Sequence, residues 1–131
     1  MFVEAKDYIK FLGEPRRYIQ RDLEYVKNGY NEEMNIEYPI VMCDDILFYF
    51  NHYTSFECAN ESWGRRKQRI DWSNVFVMFY DERPEYIKEF CEMPYKNKIC
   101  FAPRNEELEH SCILTIDYKK EQKDEPLYNI V

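Results

Sequence analysis

The stretch VFVMFY, residues 75–80, decides the fold class, because every one of its positions is β-branched, aromatic or otherwise apolar. A strand with one solvated face would place a polar residue at every second position, and this run has none. It therefore predicts a strand covered on both faces, as in a parallel or mixed sheet. Asp81 follows directly, and Pro84 begins a predicted helix that extends to about Cys91.

Four further apolar runs predict strands on either side of this one. They are YPIVM at 38–42, ILFYF at 46–50, ICFA at 99–102 and CILTI at 112–116. The acid pair Asp44-Asp45 separates the first two runs. A two-residue hairpin explains this spacing, and so does one bent strand with its acids at a rim.

Helical periodicity is present in the segment that precedes these strands. Residues 4–12 predict a short amphipathic helix, and Pro15 begins a second helix that extends to about Lys27. The turn sequence NGYN follows, so Gly29 is a candidate left-handed C-cap of the second helix.

A third helix is predicted from about Ser55 to Arg69. Thr54 as N-cap and Glu57 three residues later have the spacing of a capping box. The resulting order is two helices, two strands, and then helix, strand, helix, strand and strand. Such alternation predicts an α/β fold, with a mixed or mostly parallel sheet of four to five strands and flanking helices in layers.

The chain has 131 residues, a size typical of one domain. We expect a single α/β domain over residues 1–118 and a charged, loosely ordered tail over 119–131. The formal net charge of -7 argues against nucleic-acid binding, which needs a positive footprint. No apolar run is long enough to span a membrane, and no signal peptide is evident, so a cytoplasmic location is expected.

Five cysteines are present, an odd number without any CxxC pair: Cys43, Cys58, Cys91, Cys100 and Cys112. Most lie in apolar runs. We therefore expect buried free thiols in a reducing compartment, and neither a disulfide framework nor a metal site.

A basic cluster lies near the end of the third predicted helix, between the two tryptophans of the chain, Trp63 and Trp72. It consists of Arg65, Arg66, Lys67 and Arg69. The helix dipole favours cations at this end by about 0.3–1 kcal/mol each, which explains part of the charge. The arginine fork also fits a phosphate or a sugar-acid carboxylate. Pairing with nearby acids of the chain is the alternative.

Three further positions are candidates for chemistry. His52 lies between a strand and a helix N-terminus, where α/β folds place ligands, and it suits proton transfer or a turn hydrogen bond. Asp81 at a strand end suits catalysis or capping of the next helix. Asp44 and Asp45 suit a metal, a general base or simply a turn. His110 in a charged loop is expected to be solvated.

Several of these segments, in this order and spacing, resemble a bacterial family, the domain of unknown function numbered nineteen-nineteen. The most specific match is W-x-R-R-x-x-R-I, here Trp63, Arg65, Arg66, Arg69 and Ile70. The resemblance covers residues 2 to about 102 and includes the turn MPYKNK and the segments DYIKFL, YPI, HYTSFECANESWGRRKQRI, NVFVMFYD and EFCEMPYKNKICF.

The resemblance implies a cytosolic α/β protein, often labelled as an exopolysaccharide biosynthesis protein. Members usually carry a strand and loop before the DYIKFL helix, so a chain truncated at the N-terminus is expected. The sequence also has Val41 in place of the family's glycine and Tyr49 in place of a strand histidine.

Two functions follow as hypotheses. In the first, the protein acts in cell-surface glycan biosynthesis as a transferase of a sugar or acyl group. Arg65, Arg66 and Arg69 would bind a nucleotide sugar or another anionic small molecule, and His52 and Asp81 would be catalytic. In the second, a non-catalytic interaction protein uses the basic-aromatic patch to bind an acidic partner. The sequence identifies no cofactor.

Overall fold

A computed structural model describes residues 1–105 and 107–116 of the chain. The described residues divide into two compact units, with residues 1–70 in the first and the segment from Asp71 onward in the second. The predicted tail, 119–131, lies outside the described residues. The prediction of one domain over residues 1–118 stays a prediction.

The first unit places two helices before an antiparallel sheet and one helix after it. Its three strands are consecutive and lie in the order β1-β2-β3. Its elements are α1 (Ala5–Gly13), α2 (Pro15–Ile19), β1 (Leu23–Asn31), β2 (Ile36–Cys43), β3 (Ile46–Tyr49) and α3 (Phe56–Lys67). The connections between the strands are short turns, and short turns can join only antiparallel neighbours.

The second unit contains a parallel sheet in the order β4-β5-β6. Its elements are β4 (Phe76–Tyr80), α4 (Pro84–Cys91), β5 (Asn97–Ala102) and β6 (Ile113–Thr115). Helix α4 is the crossover between two neighbouring parallel strands, as parallel pairing requires.

The predicted α/β class is confirmed by these helices and sheets. The expected single sheet of about four to five strands, mixed or mostly parallel, is not found; the described residues form two three-stranded sheets, one antiparallel and one parallel.

The predicted helix from Pro15 to about Lys27 is wrong beyond its first turns. Helix α2 ends at Ile19, and the residues from Leu23 onward form β1. Strand β1 pairs with β2 along its whole length, with an irregularity between Tyr25 and Lys27. Pairing with a distant segment overrides the local helical periodicity here, because it satisfies the backbone groups of both strands.

Gly29 is not a helix cap, because it lies inside β1 directly opposite Tyr38 of β2. The tyrosine ring covers the glycine: a Cβ atom added at Gly29 would lie 2.6 Å from Tyr38 Cζ. Glycine is therefore selected at this position by the close approach of a cross-strand aromatic ring. No glycine of the described chain has a positive φ angle.

Asp44 and Asp45 form the two-residue turn between β2 and β3, so the hairpin interpretation is confirmed. Cys43 pairs with Ile46 across the turn, and Asp44 has a φ angle of 55°. Aspartate tolerates this left-handed conformation better than most residues do. The hairpin places Val41, Cys43, Ile46 and Phe48 in the core of the first unit.

One face of the parallel sheet is covered by α4. The rings of Phe79 and Phe90 stack with centroids 5.1 Å apart, and Val77 and Ile87 are buried. On the other face of β4, Phe76 and Met78 are 59% and 50% exposed. The expectation that VFVMFY is covered on both faces is therefore correct for one face only.

We predict that Gly29→Ala lowers the free energy of unfolding by about 1 kcal/mol, because the new methyl group displaces the Tyr38 ring. In a Tyr38→Ala background the same change should be stabilising, since glycine in a strand costs about 0.5–1 kcal/mol relative to alanine. Urea unfolding of the four proteins in this double-mutant cycle measures both effects. An equal effect in both backgrounds would contradict the role assigned to Tyr38.

Candidate functional site

Helix α3 positions the basic cluster. Its N-cap is Ser55, whose hydroxyl accepts a hydrogen bond from the Cys58 N–H at 3.2 Å. The N-cap is therefore one residue later than the predicted Thr54, and the predicted capping box is wrong, because the third helical position is Cys58 and Glu57 is the second. The helix ends at Lys67, so Arg69 lies in the turn that follows.

The inward face of α3 is fixed by the core of the first unit. Ala59 and Ser62 are buried, and the Ser62 hydroxyl lies 2.6 Å from the Tyr53 hydroxyl. Trp63 is half-buried and packs on Phe48 with ring centroids 5.1 Å apart. The indole of Trp63 is thus part of the packing that anchors the helix, and it is not presented as a surface for stacking a ligand.

Arg65, Arg66 and Arg69 are exposed to solvent. Within the part of the chain that the structure describes, none of the three lies within ion-pair distance of a carboxylate. The nearby carboxylate of Asp71 instead accepts hydrogen bonds from the Ser73 backbone N–H and hydroxyl.

His52 lies in the turn between β3 and α3 and is exposed. It belongs to the first unit, together with the three arginines. Trp72 belongs to the second unit and is half-buried. Solvent access is compatible with proton transfer to a bound ligand at His52.

Asp81 belongs to the second unit and is only 3% exposed. Its carboxylate accepts hydrogen bonds from the Arg83 side chain at 2.9 and 2.8 Å and from the Arg83 backbone N–H at 2.7 Å. Burial acts to raise the pKa of Asp81, but the hydrogen bonds from Arg83 outweigh it and the pKa is lowered. Asp81 is therefore ionised at neutral pH and held by one arginine.

The acid pair at the hairpin turn is engaged by cations and a phenol of the first unit. Arg17 donates to Asp44 at 2.9 Å, Lys10 to Asp45 at 3.3 Å, and the Tyr18 hydroxyl to Asp45 at 2.7 Å. The hydrogen bond from Tyr18 lowers the pKa of Asp45, while burial and this bond raise the pKa of Tyr18 to about 12. These contacts confirm the turn interpretation of Asp44 and Asp45.

The cysteines are free thiols, as expected, and Cys43, Cys91 and Cys100 are buried. Cys58 on α3 is exposed to solvent, so the expectation of a buried thiol is wrong for this cysteine. The structure also brings Cys91, His110 and Cys112 together, which the sequence analysis missed. In the sequence, His110 and Cys112 are close together, but Cys91, the third residue of the cluster, lies 21 residues before Cys112.

The sequence matches the family described as Domain of unknown function (DUF1919) over residues 1–130. The chain belongs to the DUF1919 family. An uncharacterized protein of Haemophilus influenzae is 28% identical to it over 105 residues, which cover 78% of this chain and 48% of the relative. The DUF1919 chain therefore spans about half the length of that relative.

The DUF1919 chain has no helix, within the residues that the structure describes, of the length and apolar character needed to cross a membrane. The family match includes the whole W-x-R-R-x-x-R-I segment of α3. In the DUF1919 chain this segment has one tryptophan directed to the core and three arginines directed to solvent.

We predict opposite consequences for the two kinds of residue in this segment. Trp63→Ala should lower the free energy of unfolding by about 2–4 kcal/mol, because it removes a large aromatic side chain from the packing around Phe48. Arg65→Ala, in contrast, should change the free energy of unfolding by no more than about 0.5 kcal/mol. Arg65 is exposed and forms no ion pair with the residues that the structure describes. Equal effects in urea unfolding would contradict the assignment.

We also predict that Arg83→Ala destabilises the protein by about 1–3 kcal/mol at pH 7, because a buried carboxylate loses its charged donor. The folded-state pKa of Asp81 is lowered, so its stabilising contribution is present above the ordinary pKa near 3.8 and is lost as the pH falls below it. The difference in free energy of unfolding between wild type and Arg83→Ala should accordingly shrink as the pH falls below about 3.8. A pH-independent difference would contradict this ion pair.

Proposed function

We propose that this DUF1919 protein acts in exopolysaccharide or other cell-surface glycan biosynthesis by binding an anionic, phosphorylated sugar donor through Arg65, Arg66 and Arg69. The observation that carries the proposal is the exposure of three guanidinium groups that lie outside every ion pair of the described chain. Arg17, Arg21 and Arg83, in contrast, each lie within ion-pair distance of a carboxylate, as with Arg17 and Asp44 at 2.9 Å.

The choice of arginine supports a phosphate or carboxylate ligand. A helix C-terminus is stabilised equally well by lysine, so the dipole does not explain why arginine is used three times. The planar guanidinium offers two parallel N–H donors to one anionic group, which lysine cannot do. Arg65 and Arg66 occupy the last turn of α3, and Arg69 follows in the next turn, where its backbone N–H bonds to the Arg66 carbonyl at 3.0 Å.

The charge of the whole chain supports a small ligand over a nucleic acid. The formal net charge is -7, so a long polyanion would meet net repulsion from the chain as a whole. A sugar phosphate or sugar acid is small enough to contact the arginines alone. The free cysteines support the proposed cytoplasmic location, since thiols stay reduced there.

Transfer of a sugar or acyl group is the reaction we propose for this binding site. His52 is exposed, belongs to the same unit as the arginines, and is the candidate proton-transfer group. The catalytic role predicted for Asp81, which belongs to the second unit and is held by Arg83, stays a prediction.

Binding of an acidic macromolecular partner by the same arginines is the alternative. It is favoured by the solvent exposure of all three guanidinium groups along a helix end and the turn after it. Trp63 contributes less to the surface of this patch than the sequence predicts, because its ring packs on Phe48.

Calorimetric titration with a panel of nucleotide sugars and sugar acids tests the proposal. We expect millimolar or tighter binding that weakens with added salt. The double variant Arg65→Glu, Arg66→Glu should reduce affinity at least about 100-fold, because each charged hydrogen bond is worth about 1.5–3 kcal/mol. The matched control is the double variant Lys27→Glu, Lys96→Glu. It makes the same change in net charge at two exposed lysines outside the basic cluster.

Three results would overturn the sugar-donor proposal. They are no heat with any ligand at millimolar concentration, equal loss of affinity in the control, and unchanged binding in the arginine variant. Co-purification of a stoichiometric acidic protein that is lost only in the arginine variant would instead select the interaction function. Retention of affinity by Arg65→Lys, Arg66→Lys would contradict the specific need for the bidentate fork.

A further inference from the structure

Three side chains of the second unit bring metal-binding atoms together beside its parallel sheet. Cys91 is the last residue of α4, whereas His110 and Cys112 belong to the segment that leads into β6. The backbone fixes this segment, since the Cys100 N–H on β5 donates to the Cys112 carbonyl at 2.8 Å. This bond fixes Cys112 to β5, at the entry to β6.

The donor atoms of these side chains converge. The Sγ atoms of Cys91 and Cys112 lie 2.9 Å apart, and the ligand atoms of Cys91, Cys112 and His110 all lie within 4.8 Å of one another. The Nδ1 atom of His110 accepts a hydrogen bond from the Cys112 backbone N–H at 3.2 Å, which orients the imidazole toward this residue. The three groups come from two separate segments of the chain, and each presents an atom that binds soft or borderline cations.

We propose that Cys91, His110 and Cys112 form a binding site for a thiophilic divalent cation, with Zn²⁺ as the expected occupant. Two thiolates and one imidazole are a donor set that selects zinc over magnesium or calcium, which require oxygen ligands. This site lies in the second unit and goes beyond the proposed anion-binding function of α3.

The observed distances fit a tetrahedral ion after a small adjustment. Zinc–sulfur bonds of about 2.3 Å and zinc–nitrogen bonds of about 2.0 Å separate tetrahedral ligand atoms by roughly 3.5 Å. The distances of 2.9 Å and up to 4.8 Å lie on either side of that separation. Rotation about side-chain bonds, with loss of the Nδ1 hydrogen bond where this nitrogen becomes the ligand, achieves the adjustment.

Burial differs across the site and predicts how it would be arranged. Cys91 is 5% exposed, Cys112 is half-buried and His110 is exposed. A cation would therefore be shielded on the helix side and open to solvent on the histidine side. Three protein ligands leave a fourth position for water or an added small ligand, as in zinc sites that exchange ligands.

Occupancy of the site would link α4 directly to the entry of β6. The described residues of this unit contain one helix and a three-stranded sheet, of which β6 is only three residues long. A cation that binds the folded unit and not the unfolded chain raises the free energy of unfolding in proportion to the logarithm of its concentration over its dissociation constant.

Titration of the full chain with Co²⁺ and Zn²⁺ tests the proposal. The protein is first reduced and freed of metal with a chelator. We expect a near-ultraviolet thiolate-to-cobalt charge-transfer band that saturates at one ion per chain and disappears when Zn²⁺ is added. His110→Ala should weaken Zn²⁺ binding by more than about 100-fold, because even partners outside the first coordination sphere are worth 10–100-fold.

Two variants complete the experiment. Cys112→Ser should lose the charge-transfer band, while Cys58→Ser, which removes the exposed thiol of α3, should keep it unchanged. His110 is exposed, so its alanine variant should retain the wild-type circular dichroism spectrum and report on binding alone.

Absence of the band in reduced, folded wild-type protein would overturn the proposal. So would equal loss of binding in Cys58→Ser and Cys112→Ser. A chain purified without reductant that is two hydrogen atoms lighter, with Cys91 and Cys112 both blocked to alkylation and no zinc affinity after reduction, would show that these sulfurs form a disulfide instead.

Discussion

The hydrogen bond of 2.7 Å from the Tyr18 hydroxyl to the Asp45 carboxylate is the contact on which the first unit depends. It ties the end of α2 to the tight turn between β2 and β3, and Arg17 and Lys10 reinforce it from the same side. The Tyr18 ring is itself buried in the core, 1% exposed. The ring of Tyr18 therefore closes the apolar core where helix and hairpin meet, and Asp45 accepts the hydrogen bond that the Tyr18 hydroxyl needs.

This anchoring explains how α3 can present charge on one side and packing on the other. The hairpin supplies Phe48, against which Trp63 packs, so the helix orientation is set by the core. The arginines that follow in sequence then face solvent. In the second unit the buried carboxylate of Asp81 directly follows β4 and accepts three hydrogen bonds from Arg83. Both units therefore use acids structurally, whereas Arg65, Arg66 and Arg69 have no carboxylate partner among the residues that the structure describes.

The sequence predicted several elements closely and failed where distant segments decide the outcome. The runs that became β2 to β6, the hairpin at Asp44 and Asp45, and the helices α1, α3 and α4 were all evident from local patterns. The local pattern of residues 23–31 predicts the end of a helix and its cap, because the spacing of Leu23 and Val26 follows a helical period. They form β1 because β2 lies alongside, and Gly29 fits there because Tyr38 covers it.

The sequence by itself determined the α/β class, the family resemblance and the cluster of three arginines, since each depends on residues that are near one another along the chain. Only the tertiary structure decided that two sheets form instead of one, that the arginines lie outside any described ion pair, and that Cys91 meets His110 and Cys112. The physical reason is the same in each case. Strand pairing, neutralisation of charge and convergence of ligand atoms depend on distances in space between residues far apart in sequence, and no local propensity or spacing encodes those distances.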